Sequence, residues 1–503
     1  MAFAVRSPFP RLARRRDGLV RALTTAAAGT GAIGLSLFAT DRLSSQSVFV
    51  SAALALLVVL PAWLILSSNV AVTLGALALY LGLVDGVLKL KLNTPTAALG
   101  RDLLLYSIIF GAVLRLVSDR RPVRLPPLSG YVLAFTVIAL VQVFNPGSQS
   151  LLHALAALRP HVEFVPLFFL GYAVMRRSSR LRGYLLLLCV VAAINGVAGL
   201  AQLDLTPDQL ARWGPGYAER INGTGAVSAR TFDAEGTARV RPLALGSDSG
   251  FGGAVAFLAV PALLALLGAA PRRWALLLGA PLATGIILAV VTSQSRSAVI
   301  AAVVALVAFF GLAAASRLRV TALVVTIAAV VVTIGVVSVL TAGGNQSAFR
   351  YDTITPTKVV GTTLDYRRGV FAAIPDYAMS FPLGKGLGLV GPAAGFGVNF
   401  DESRALNGES QFTFLLVELG VAGLLIFGAL HIRLLVLTTR LRRIDDPQIR
   451  LLLAGCAAPL FALAVSWIAG PISATTPTAP YFWFTAGILA FWLISREPER
   501  ARS

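Results

Sequence analysis

Long apolar runs, cut at intervals by short clusters of arginine, limit what this chain can fold into. A helix needs roughly 17–25 apolar residues to cross the hydrocarbon core of a bilayer. Segments that meet or approach that length lie near 22–40, 47–67, 69–86, 102–117, 128–144, 162–175, 183–201, 250–269, 274–292, 297–315, 320–341, 411–432, 451–468 and 481–495. The expected fold is therefore an all-α polytopic membrane protein with about 12–14 transmembrane helices. Composition agrees, with 56% hydrophobic and 13% charged residues across 503, which is unlike a soluble chain of this length.

The interruptions carry the sidedness. Arg120, Arg121 and Arg124; Arg176, Arg177, Arg180 and Arg182; Arg272 and Arg273; Arg317 and Arg319; Arg433 through Arg450; and Arg496, Arg500 and Arg502 fall in every second connection. That alternation follows the positive-inside bias and sets both termini on the cytoplasmic side. It also disposes of the other meaning of a formal net charge of +20. The cations are spread over many short connections instead of one groove, so no nucleic-acid partner is expected. The first apolar segment follows a basic tail without a small-residue cleavage site, which reads as a retained helix. Cys189 and Cys456 lie inside apolar segments, and His153, His161 and His431 are scattered along the chain, so neither a disulfide framework nor a metal site is expected.

The chain divides into a basic tail (1–20), an N-terminal bundle (21–201), a first long loop (202–248), further helices (249–341), a second long loop (342–410), C-terminal helices (411–495) and a short tail (496–503). Both long loops fall on the extracytoplasmic side, and together they hold twelve of the 23 acidic residues. Loops of such length are usually functional or disordered. WGPGY, FDAEG, DYRRGVF and GKGLG are too aromatic and glycine-punctuated for plain linkers.

Three stretches bring arginine to that face against the positive-inside bias: Arg239 and Arg241 in TARVRPLALGSDSG, Arg296 in SQSRS, and Arg367 and Arg368 in LDYRRGVFAAIPDYAMSF. Residues 366–381 have apolar positions near helical spacing, as in an amphipathic helix lying along the membrane and bent at Pro375. Guanidinium groups at a lipid surface suit a phosphate or pyrophosphate, which they bind in bidentate fashion. The plainer account has them pair with loop acids such as Asp233, Glu235, Asp248 and Asp365, or snorkel to headgroups.

SQSRSAVIAAVVAL resembles a T-x-S-R signature of the O-antigen ligase and O-antigen polymerase superfamily of bacterial membrane glycosyltransferases. DYRRGVFAAIPDYAMSFPLGKGLG looks like that family's R-x-x-x-W and glycine-rich loop segment, with Phe371 in the aromatic position. GESQFTFLLVELGVAGLLIF is similar to its H-N-x-h-L-x-x-h-x-E-x-G stretch, and RVRPLALGSDSGFGG to its R-x-x-G-x-F-x-x-P segment. The resemblance covers roughly 239–430 and implies a GT-C-like bundle in a bacterial inner membrane. It further implies a polyprenyl-pyrophosphate-linked glycan donor held by Arg241, Arg296 and Arg367, with Arg239 and Arg368 as neighbours in register, and a glycan or lipid-glycan acceptor. Where the ligases carry a catalytic histidine this chain has Glu409, with Ser410 in place of the next asparagine, which tilts the expectation toward polymerase.

Glu409 is the candidate general base, in a metal-independent and inverting transfer that needs no cofactor. Its plain alternative is a solvated charge at a helix N-terminus. Glu418, about two turns into the twelfth span, is expected to pair with a polar group or orient the site. The glycines of GKGLGLVGPAAGFG read as tight turns or a lid, since no strand-then-helix context makes them a phosphate cradle. Trp213 and Tyr217 suit either sugar stacking or interfacial anchoring. Asp85, Lys89, Lys91, Arg101 and Asp102 read as a local charge cluster. The rival function is a transporter or lipid-glycan flippase, disfavoured by few midspan charges and no convincing internal repeat.

Overall fold

In a computed structural model, the described residues are 60–67, 69–93, 95–118, 125–148, 150–203, 205–222, 231–234, 237–269, 272–313, 356–393, 406 and 408–495. They are almost entirely helical. The exception is a hairpin of β1 (Thr231–Ala234) and β2 (Thr237–Val240), antiparallel with Phe232 opposite Arg239. Among the described residues, eight helices are long and apolar enough to cross a membrane, and Ser129–Phe144 and Leu277–Thr292 are shorter apolar helices. The chain is thus a multi-pass membrane protein. The expected segments 22–40 and 320–341, and most of 47–67, lie outside the described residues.

Two compact units result, residues 1–80 with 94–124, and residues 81–93 with 125–503. In the smaller, the helix Pro95–Ser118 approaches residues 65–67, where Arg115 donates to the carbonyls of Ile65 and Ser67. Gly111 faces Ile65 there, where a Cβ would meet the Ile65 backbone.

The larger unit is a helical bundle. Its elements are labelled α1 (Leu151–Val162), α2 (Pro166–Val174), α3 (Ser178–Leu203), α4 (Phe251–Ala269), α5 (Arg272–Thr292), α6 (Arg296–Ala313), α7 (Pro356–Ser380), α8 (Gln411–Leu437), α9 (Pro447–Ser466) and α10 (Thr478–Ala490). Small residues set the closest approaches, as in membrane bundles generally. Gly196 of α3 meets Gly285 of α5, Gly455 of α9 meets Ala265 of α4, and Gly487 of α10 meets the Phe168 backbone of α2. Apolar side chains such as Val303, Val307, Phe310, Leu425 and Ile432 remain exposed, as expected of surfaces that face lipid.

Two expectations about the spans change. Residues 151–161, assigned by sequence to a connection, form α1, which runs with α2 as one 24-residue span, Leu151–Val174. The span therefore contains Arg159, His161 and Glu163, with Glu163 1% exposed and 3.4 Å from Arg159. The expectation of few midspan charges is corrected accordingly. Secondly, α7 is a 25-residue helix that continues through Pro375, longer than the amphipathic stretch 366–381.

Candidate functional site

The α8 helix organises the site, and its first turn is held from several sides. Ser410 caps it, accepting from the Thr413 N–H at 3.1 Å, as an N-cap serine does for an otherwise unmatched donor. The Gln411 N–H donates to the Trp467 carbonyl at 2.8 Å, and its side chain pairs with Ser473 through both amide atoms. Glu409 stands just before this cap and is exposed, while Arg367 of α7 reaches it. The Arg367 Nη1 donates to the Glu409 carboxylate at 3.4 Å and to its backbone carbonyl at 3.3 Å. Two predicted site residues from opposite ends of a long connection are thus in direct contact.

The α8 helix is broken at Gly420, where φ is 71° and ψ is −171°. A regular turn would join the Val421 N–H to the Val417 carbonyl. Instead the glycine-rich loop after α7 inserts its own backbone. Lys385 donates to the Val417 carbonyl at 2.7 Å, and Val421 donates to the Pro382 carbonyl at 3.0 Å. Both groups freed by the break are matched, which is the condition for irregular backbone inside a membrane bundle. The loop is pinned further by Asn145, which donates to the Gly384 carbonyl at 3.1 Å, and by Ser148, whose hydroxyl accepts from Leu387 at 3.1 Å. Of the two readings offered for GKGLG, tight turns are what the structure shows.

Glu418 is 1% exposed beneath this loop. Its Oε1 accepts from the N–H groups of Gly388 and Val390 at 3.1 and 3.4 Å, and its Oε2 lies 2.6 Å from the Nε2 of His161. The ring of His161 stacks on Phe414 with centroids 4.9 Å apart. His153 adds a contact from α1, its Nε2 3.1 Å from the Gly388 carbonyl. The expectation that Glu418 pairs with a polar group holds, and its partners are now identified. Sequence reasoning missed His161 and His153, which it treated as isolated. The signal was ionisable residues inside the apolar run LLHALAALRPHVEFVPLFFL, where such residues mark functional or pairing positions by default.

The other arginines lie toward the same end of the bundle. Gln202, at the end of α3, holds the backbone of Ala244 through both its amide atoms at 2.8 Å, and the Asn195 side chain accepts from Leu245 at 3.1 Å. These bonds fix the segment that carries Arg241, which is 8% exposed. Its neighbour Arg239 sits in β2, opposite Phe232. Arg296 begins α6, and Ser295 before it approaches Gly250 at the start of α4. Gln294 adopts a left-handed backbone with φ 51° in this turn, the kind of conformation that clusters at functional sites. The α9 helix packs on α4 with Gly455 beside Ala265 and Leu451 beside Gly268, so the two run antiparallel. The end of α9, and hence the start of α8, lies at the end where α4 begins. Arg368 is exposed on α7.

Among the described residues, acids do pair with loop arginines: Arg220 with Asp248 at 3.1 Å, in addition to the Arg367–Glu409 contact; the side chains of Asp233, Glu235 and Asp365 lie outside the described residues. Of the charged residues near position 90, Lys89 pairs with Asp85 at 2.6 Å in the larger unit, and Arg101 lies 3.8 Å from Asp102 in the smaller. Tyr217 is 2% exposed, packed with Leu90, Leu210, Val240 and Leu243, which removes it as an open sugar platform. Burial pushes its phenol up to about 12. Trp213, in edge contact with Tyr217, stays 40% exposed. Among the described residues no group of three or more His, Cys, Asp or Glu is arranged to hold a metal. No family model matches the chain, and no curated protein or solved structure does.

Proposed function

We propose that this chain is a bacterial inner-membrane glycosyltransferase that joins polyprenyl-pyrophosphate-linked oligosaccharide units on the extracytoplasmic face, as a polymerase or as an O-antigen-ligase-like enzyme with another acceptor. The observation that carries the reading is the contact of Arg367 with Glu409, at the bundle end toward which Arg241 and Arg296 also lie. A cation that holds a diphosphate and a carboxylate that takes a proton must stand within one substrate's reach, and this pair does.

The reaction follows from those groups. The acceptor hydroxyl oxygen attacks the anomeric carbon of the donor while the bond to the pyrophosphate oxygen breaks. Its electron pair stays on the departing diphosphate, and the hydroxyl proton passes to Glu409. Attack in a single displacement inverts the anomeric centre. Negative charge growing on the leaving oxygen is met by fixed guanidinium groups at a poorly hydrated surface, without a metal in the scheme. In the free protein the Arg367 Nη1 donates to Glu409, and a bound diphosphate would compete for that group, releasing the carboxylate toward the acceptor.

Purified protein supplied with such a donor in chelator should extend or transfer the glycan. Glu409→Gln should lower kcat by about 10²–10⁴-fold, and Arg296→Ala by about 10²–10³-fold, both with unchanged melting. Full activity in either variant removes that residue's role, and dependence on a divalent cation overturns the electrostatic scheme.

One observation favours the transporter or flippase reading: a broken membrane helix beside buried ionisable pairs, an arrangement that carriers use. Both pairs of ionisable side chains lie within spans, at His161–Glu418 and Arg159–Glu163. Proteoliposomes decide between the two. Donor moved across the bilayer without a new glycosidic bond supports the carrier, and bond formation without movement supports the enzyme.

A further inference from the structure

The transfer scheme gives no task to the most deeply buried pair of ionisable side chains in the site. His161 and Glu418 side chains are 0% and 1% exposed, and burying two ionisable groups in a bundle core is costly unless they are well matched. Contacts lead from that pair to Glu409 without a gap. Glu418 holds the Val390 N–H at 3.4 Å. Val390 lies against Gly408, where an added Cβ would sit 2.6 Å from the Val390 Cβ and 3.0 Å from the Gly391 nitrogen. Gly408 immediately precedes Glu409, whose carboxylate is 3.4 Å from Arg367. A second route runs through the rings. His161 stacks on Phe414 at an interplanar angle of 11°, and Phe414 in turn closes on Gly391, where a Cβ would meet its ring at 2.5 Å.

We propose that His161 is a positioning residue: through Glu418 and Val390 it sets where Gly408 and Glu409 stand relative to Arg367. The proposal rests on reading Arg367 and Glu409 as the transfer site. His161 touches no reacting atom. Its Nε2 lies 2.6 Å from a carboxyl group that two backbone N–H groups of the loop also reach, so one buried side chain ties the loop to α1. The loop from 381 to 391 has little regular structure of its own, so its place is dictated by what holds it from outside. General-base catalysis depends on heavy-atom distances within a few tenths of an ångström, and a displaced carboxylate loses rate without losing substrate.

The test uses the full chain in lipid nanodiscs with two variants. His161→Phe keeps a ring against Phe414 and removes the ring nitrogen that meets Glu418. Gly408→Ala leaves the buried pair intact and pushes the same segment from its other end. Hydrogen exchange of the 384–391 amides should quicken about tenfold in His161→Phe. Both variants should lower kcat by about tenfold or more while KM for the lipid-linked donor stays nearly constant. Both should also raise the solvent deuterium isotope effect on kcat, which a mere loss of folded molecules leaves unchanged. Unaltered exchange in His161→Phe overturns the proposal, as does wild-type turnover in a variant whose loop exchanges faster. If His161→Phe fails to fold, wild-type turnover and isotope effect in Gly408→Ala overturn it instead. A wild-type protein that transfers nothing from a polyprenyl-pyrophosphate donor removes the glycosyl reading and the positioning role with it. The exchange result would still report separately whether the pair holds the loop.

Discussion

Gly420 and Gly388 hold backbone conformations that a side chain resists, and each guards a different contact. Gly420 combines φ 71° with ψ −171°, a region essentially reserved for glycine. A Cβ there would also stand 2.6 Å from the Gly384 nitrogen. Gly420→Ala should therefore destabilise by roughly 3 kcal/mol, read as a lowered melting midpoint in detergent. Gly388 has φ +79°, and its Cβ would run into the ring of His153. Gly388→Ala should lose roughly 1–3 kcal/mol for the same reason. A third expectation concerns Tyr217, whose phenol burial pushes up to about 12, against about 10 in an unfolded chain. The folded state holds that proton more tightly, so the contribution is intact below about pH 10 and lost as pH rises toward 12. Tyr217→Phe should flatten that alkaline decline in a melting series. At this scale the chemistry of Arg367, Glu409 and Glu418 was legible as residue types near a membrane surface. Their partners were not, because 42 residues separate Arg367 from Glu409 and 257 separate His161 from Glu418, and no local pattern spans such gaps.

Helices differ in how much of their form the local sequence decides. The start of α8 was readable, because Ser410 followed by an apolar run is an N-cap signal. Its break was not. ELGVAGLLIF reads as uninterrupted apolar helix, and the interruption exists because Pro382 and Lys385 supply the backbone groups that Val417 and Val421 give up. Similarly, α1 was hidden by its own charges: HALAALRPHVE looks like a connection until Glu418 arrives from another helix to match His161. The α3 helix carries a comparable hidden brace. Asn195 donates to the Gly82 and Val191 carbonyls and accepts from Leu245. Asn195→Ala leaves the Leu245 N–H without that acceptor and should destabilise by about 1–3 kcal/mol. It should also weaken donor binding more than turnover, since the segment it holds carries Arg241; an unchanged KM would remove that link.

For the whole molecule, sidedness is the first thing to measure. A periplasm-dependent reporter fused after Trp213 should be active and one fused after Arg443 inactive, as the arginine alternation requires. The reverse pattern would put the Glu409 end of the bundle in the cytoplasm and remove the lipid-linked glycan from consideration. By itself the sequence determined that the chain lives in a bilayer, since apolar length and charge spacing answer to the solvent and need no partner residue. It also marked the arginines and carboxylates worth watching. Only the tertiary structure decided which of them meet, where a membrane helix breaks, and that two histidines lie beneath the glycine loop. Those outcomes depend on matching buried backbone and ionisable groups across distant segments, and such groups are expensive in hydrocarbon until the partner is in place.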